Sequence, residues 1–266
     1  MPFVPSDNEK RAQRCKEIFA IQASGLAKRI EHVGSNGVVV GISGGLDSTL
    51  ALLVSVSAMK LLGKNNSDIL GVTMPGFGTT DRTYQNAIDL MKSLGVTIKE
   101  ISIKDACVLH MKDIEHDSLV KDITYENTQA RERTQILFDL ANKHGKLLVG
   151  TGDLSELAMG WCTYNGDHMS MYGVNASVPK TLVKYLVEYV ANVSDKKTAD
   201  ILYDVLDTPV SPELLPPDEN GNIAQKTEDN IGPYELHDFF LYNFVRFGFE
   251  KNKLKRLALK AFDGKY

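Results

Sequence analysis

Ser43-Gly44-Gly45-Leu46-Asp47-Ser48 is the densest group of chemically competent residues in the chain. Two glycines let the backbone approach a bulky anion closely. Ser43 and Ser48 add hydroxyl donors, and Asp47 offers a hard oxygen ligand for Mg2+. If a helix starts here, its first N–H groups and its dipole favour the same anion. The lysine-bearing loop Gly-x-x-x-x-Gly-Lys-[Ser/Thr], which handles a γ-phosphoryl group, does not occur in the sequence. The turn therefore suits gripping pyrophosphate as a leaving group. A bare Gly-Gly would read as a packing turn, whereas these six residues between a strand and a helix predict a phosphate site.

Other candidates are weaker when read alone. Glu156 falls at the start of a helix, where an acid is ordinary and stabilises by well under about 1 kcal/mol. Lys180 follows Pro179 at a helix N-terminus, where a cation is electrostatically misplaced. A phosphate partner would account for it, and so would exposure to solvent. Trp161, the only tryptophan, could stack on a ligand ring or fill core. Arg131 shares a helix with Glu126, Glu132 and Arg133, so a solvated charged face is its default. Cys162 has no base placed to activate it and reads as an inert thiol.

The elements that must position these residues alternate. Asn8 to Val33 carries apolar residues at helical spacing, after an extended Met1-Pro2-Phe3-Val4-Pro5 start. Gly37–Ile42 is a valine-rich strand buried on both faces, and Leu46–Leu62 a helix. Strand Ile69–Met74, helix Asp81–Leu94 and strand Val96–Ser102 follow. Helices are expected at Lys104–Glu115 and Thr124–His144, then a strand at Lys146–Val149. This pattern predicts an α/β fold, a Rossmann-like parallel sheet with helices on both faces. Residues 160–178 lack periodicity and read as a ligand-shaping loop. A helical C-terminal part is expected at Pro179–Asn192, Lys196–Val205, Pro233–Phe247 and Glu250–Ala261. Residues 1–7 read as a linker-like segment, and 207–232 as a long proline-rich connection with Pro209, Pro212, Pro216 and Pro217. With no repeat and no second core, 1–266 reads as a single domain.

Composition narrows the class. Hydrophobic residues at 43% and charged residues at 24% suit a globular protein. A net charge of −4 gives no global attraction to nucleic acid or an acidic membrane. Cys15, Cys107 and Cys162 lie far apart, and the six histidines are scattered, so neither a disulfide framework nor a zinc site is indicated. No apolar run reaches membrane-spanning length, and a cytoplasmic location is expected.

The Ser-Gly-Gly-x-Asp-Ser turn resembles the signature of the ATP-pyrophosphatases of adenine nucleotide α-hydrolase-like fold. Gly150-Thr151-Gly152-Asp153-Leu154-Ser155-Glu156-Leu157, Gly160-Trp161-Cys162-Thr163-Tyr164, and Val174-Asn175-Ala176 through Val178-Pro179-Lys180-Thr181-Leu182 look like NAD synthetases. They are closer to the synthetase portion of the glutamine-dependent type, since the ammonia-dependent enzymes carry Gly-Thr-Asp-His where this chain has Gly-Thr-Gly-Asp. The resemblance implies amidation of deamido-NAD to NAD through an adenylate, with release of AMP and pyrophosphate. ATP is the co-substrate and Mg2+ the cofactor. Ammonia is the nitrogen donor, free or from a glutaminase domain in a longer parent.

The resemblance also implies residue roles. Gly41, Ile42, Ser43, Gly44, Gly45, Leu46, Asp47 and Ser48 would bind ATP, with Thr151, Lys180 and Ser211. Asn127, Arg131, Glu156, Trp161, Thr163 and Tyr164 would bind deamido-NAD. Asp47 and Glu156 would hold metal, and Asp47, Glu156 and Lys180 would be catalytic. A homodimer or higher homo-oligomer is implied, with no nucleic acid and no membrane. Two rivals are an RNA-modifying ATP-pyrophosphatase, which calls for a basic surface and paired cysteines, and a nucleotide-binding module without chemistry. Convergence of Asp47, Glu156 and Lys180 on one pocket would exclude the second.

Overall fold

A computed structural model describes residues 2–209, 211, 214–216 and 227–265. Five parallel strands form one sheet in the order β3-β2-β1-β4-β5. They are β1 (Val38–Gly41), β2 (Ile69–Thr73), β3 (Thr97–Glu100), β4 (Leu147–Gly150) and β5 (Tyr172–Gly173). β1 pairs with β2 through Val38 to Ile69 and with β4 through Val38 to Leu147. Successive side chains of a strand point to opposite faces, and the core divides accordingly. Val38, Val40, Leu147 and Val149 join one apolar cluster, while Val39 and Leu148 join the other.

Helices α1 (Asn8–His32), α2 (Leu46–Leu61), α3 (Asp81–Leu94), α7 (Lys180–Val193) and α8 (Lys196–Asp207) contribute to the first cluster. Helices α4 (Lys104–Asp113) and α5 (Ile123–His144) cover the other face, with Cys107, Met111, Tyr125 and Leu140 buried there. The expected α/β sheet with helices on both faces is present. Local chemistry sets the boundaries: Asp7, Thr80 and Asp122 cap α1, α3 and α5, and Gly95 and Gly145 end α3 and α5 in left-handed conformation.

Short helix α6 (Leu154–Met159) is the helix whose start is expected at Glu156. Two elements depart from the sequence reading: strand β5 lies within the stretch read as an irregular loop, and α9 (Thr227–Ile231) lies within the proline-rich connection. The rest of that connection falls mostly outside the described residues. Val174, Asn175 and Val178 are buried, so residues 172–178 are held by the sheet and core rather than left for a ligand to order. Helices α10 (Tyr234–Phe247) and α11 (Lys251–Ala261) complete the helical C-terminal part. Among the described residues, no helix is long and apolar enough to cross a membrane.

Candidate active site

Strands β1 and β4 lie side by side where the strand order reverses, β1 leading to β2 on one flank and β4 to β5 on the other, and a cleft opens beyond the carboxyl ends of such a pair. The turn after β1 is Ser43–Gly45, and the turn after β4 is Thr151–Asp153. Between them lies a cavity of about 250 Å³, lined by Gly41, Ile42, Ser43, Gly45, Leu46, Asp47, Ser48, Thr151, Glu156 and Ser211, among others.

The first turn is built to leave donors free. Gly45 precedes α2 with no side-chain cap, so N–H groups of the first helical turn remain for a ligand. Ser48 Oγ lies 3.2 Å from Ser43 Oγ and donates to Gly45 O at 3.1 Å, holding the loop tight against the helix. Gly44 adopts φ +91°, and a Cβ there would lie 2.0 Å from Thr83 O of α3. Glycine is therefore required both by conformation and by the approach of a neighbouring helix.

Lys180 is the centre of the site. Its side chain is only 4% exposed, and its Nζ lies 2.6 Å from Asp47 Oδ2, 2.8 Å from Glu156 Oε1 and 2.9 Å from Asp153 Oδ2. The Asp153 contact is ionic in distance but lacks hydrogen-bond alignment. Burial opposes the Lys180 charge, yet Asp47, Glu156 and Asp153 together hold its pKa well above the ordinary lysine value. Neither solvent nor phosphate is needed to explain a cation at this helix start, because three carboxylates surround it. The acids carry the opposite cost. Burial, with Asp47 nearby, pushes Glu156 up to about 8, and burial likewise pushes Asp153 up to about 6, in each case against the pull of Lys180.

Two side chains that sequence reasoning passed over brace this centre. Asp153 is fully buried and caps α6 in a reciprocal arrangement with Glu156. Asp238 of α10, also fully buried, accepts from Ser155 Oγ and from Thr181 N at 2.9 Å, while Ser155 Oγ accepts from Lys180 N at 2.9 Å. The starts of α6 and α7 are thus tied to each other and to α10. Asp153 was readable from its place before a helix three residues ahead of Glu156, but nothing local marks Asp238.

Asp47 Oδ1 is buried without a hydrogen-bond partner. Oxygens of Asp47, Asp153 and Glu156 lie within 4.8 Å of one another. An orphaned oxygen beside two further carboxylates suits a hard cation such as Mg2+.

The residues expected to bind the second substrate divide. Thr163 Oγ1 donates to Asn127 Oδ1 at 2.8 Å, and Arg131 Nε donates to Tyr164 O at 3.3 Å. These four form a group where α5 meets the loop after α6. Of the six, only Glu156 lines the cavity between the two turns. Trp161 is 36% exposed and so is not core. Arg133, Thr73 and Met74 also line the cavity; the carboxyl-end rule for β2 could have pointed to the last two, whereas Arg133 looked like any other charge on its helix. Burial pushes the Cys162 thiol up, with Asp167 and Glu156 adding to the shift, in keeping with an unactivated thiol.

A family model described as NAD synthase matches residues 18–256. A glutamine-dependent NAD(+) synthetase of Mycobacterium leprae is 47% identical over 267 residues, covering 98% of this chain and 39% of the relative. The chain thus spans about two fifths of the length of that relative. The structure of a glutamine-dependent NAD+ synthetase from Acinetobacter baumannii, in complex with ADP, matches with TM-score 0.67 and 27% identity, over 92% of this chain and 44% of that one. An NMN synthetase from Francisella tularensis shares the fold at TM-score 0.73 and 24% identity, over 92% and 91% of the two chains.

Proposed function

This chain belongs to the NAD synthase family, and we propose that it joins ammonia to the nicotinate carboxylate of deamido-NAD at the cost of ATP. The observation that carries the proposal is Lys180 Nζ, buried between Asp47 and Glu156 beside an uncapped, glycine-bearing helix start. That arrangement supports charge neutralisation and positioning of a polyphosphate, and argues against a module without chemistry.

The nicotinate carboxylate attacks the α-phosphorus of ATP, and pyrophosphate leaves. The N–H groups and hydroxyls of Ser43 through Ser48 receive the departing phosphates, and Lys180 offsets the negative charge of Asp47 and Glu156 beside them. Asp47 and Glu156 would hold Mg2+, which when bound supplies positive charge against the phosphates. Ammonia then attacks the acyl carbon, AMP departs, and the extra proton passes to solvent. Gly41, Ile42, Thr151 and Ser211 would contact ATP, while Asn127, Arg131, Trp161, Thr163 and Tyr164 would orient the dinucleotide. The names of the relatives support glutamine as the ultimate nitrogen source, through a glutaminase domain in a longer protein. A single domain over 1–266, a homodimer and a cytoplasmic location complete the proposal.

The test supplies ATP, Mg2+, ammonium and deamido-NAD and scores NAD and pyrophosphate together. A folded protein that binds ATP yet forms neither product refutes the reading.

A further inference from the structure

Cys162, Asp167 and His168 stand on the cavity wall outside the reaction described above, and each presents an atom able to ligate a metal. Their sulfur, carboxylate oxygen and ring nitrogen all lie within 4.8 Å of one another. A tetrahedral zinc site, with Zn–S of about 2.3 Å and Zn–N of about 2.0 Å, sets its ligand atoms roughly 3.5 Å apart. Side-chain rotations that draw the three atoms together by up to about 1 Å and present Nε2 of the imidazole would complete it.

The loop is already folded for this purpose. Asn165 adopts φ +55°, and Gly166 N donates to Thr163 O at 3.0 Å, turning the chain so that residues 162 and 167 face each other. Thr163 N donates to Asp167 Oδ1 at 2.7 Å, which fixes that carboxylate. His168 Nδ1 lies 2.8 Å from Thr163 O. A carbonyl only accepts, so Nδ1 carries the proton and Nε2 keeps its lone pair for a ligand. A backbone carbonyl on the far nitrogen is the usual support of a metal-binding histidine. The Tyr164 ring stacks on the same imidazole at 6.1 Å.

We propose that Cys162, Asp167 and His168 bind Zn2+, with the fourth coordination position open to the cavity. One sulfur, one nitrogen and one oxygen make a donor set that suits a borderline-soft ion over Mg2+ or Ca2+, which select oxygen. The Cys162 thiol gives up its proton to solvent as the Zn–S bond forms. Sequence spacing gave no such signal, because Cys162 has no partner cysteine and His168 no second histidine; the turn at Asn165-Gly166 makes the site. The proposal does not rest on the amidation reaction.

The full chain, freed of metal with a chelator, is titrated with Co2+, whose bond to a thiolate gives a charge-transfer absorption. Cys15 and Cys107 are 1% and 0% exposed and cannot contribute. One equivalent of Co2+ should produce the band, and Zn2+ should displace it. Cys162→Ser should abolish the band, and His168→Gln should weaken binding at least tenfold. Asp47→Asn should leave it intact, because the carboxylate cluster is a different site. No band from folded protein, a band that survives Cys162→Ser, or a band lost in Asp47→Asn overturns the proposal. If Cys162→Ser does not fold, unchanged affinity in His168→Gln does so.

Discussion

Replacing Lys180 with Met tests whether the ion shell holds the site together. The methionine has similar reach and no charge, so Asp47 Oδ2, Glu156 Oε1 and Asp153 Oδ2 would lose the cation within 3 Å of each. Breaking a buried pair by removing one partner costs about 3–5 kcal/mol, a large part of a typical stability of about 5–15 kcal/mol. For a chain of this size the melting temperature should fall on the order of 10 °C. The loss should depend on pH, and its sign follows from the acids. Asp153 and Glu156 are raised to about 6 and about 8 in the folded protein, above their unfolded values. The folded state therefore binds more protons than the unfolded one, and their contribution declines as pH rises through that window. Lys180 lowers both values, so without it they rise further and the decline steepens. Thermal unfolding should show a small difference between the proteins near pH 5 and a large one near pH 8. Adding Glu156→Gln to Lys180→Met should recover stability rather than deepen the loss, since it removes one of the stranded charges. A variant as stable as the parent at pH 8, or an additive double variant, refutes the reasoning.

Three further outcomes are expected. Asp47→Asn should still fold, since Glu156 and Asp153 remain beside Lys180, while pyrophosphate release falls at least a hundredfold; near-normal turnover by folded protein removes the metal role from Asp47. Gly44→Ala should cost about 2 kcal/mol or more through strain at positive φ and the contact with Thr83, measured by denaturant unfolding, and a neutral result refutes the close approach of α3. Trp161 fluorescence should change when deamido-NAD is added with ATP and Mg2+, and amide exchange should slow in residues 160–171 but not in 172–178. Unchanged signals at saturating ligand place the dinucleotide elsewhere.

Sequence legibility followed the range of the interactions. The valine triplet of β1 and the Ser-Gly-Gly turn are local signals, and each was placed within a residue or two of the structure. Convergence of Asp47, Glu156 and Lys180 was legible only as a conditional, since helix-start chemistry argues against a buried lysine at position 180. The bonds that resolve the contradiction span 133 residues to Asp47 and 24 to Glu156, and no periodicity encodes them. Strand β5 was missed because two residues carry no alternation. Asp238 was missed because an acid on an amphipathic helix looks solvated until Ser155 and Thr181 are found against it. Arg131 stays exposed, as its charged-face default has it, and also donates to the Tyr164 carbonyl.

The same spans bear on the order in which the protein assembles. Lys180 can meet Asp47 only after a 133-residue loop has closed, and Asp238 meets Ser155 only across 83 residues. Closing such loops costs entropy before any contact repays it. The shell should therefore form late, after β1 and β4 have paired and α7 has docked. Until then the carboxylates and the lysine stay hydrated and pay no desolvation. Substitutions in the shell should accordingly quicken unfolding while leaving the refolding rate near that of the parent. The charge cluster would then act as a latch on the finished fold, setting how long a native molecule lasts rather than how soon it forms.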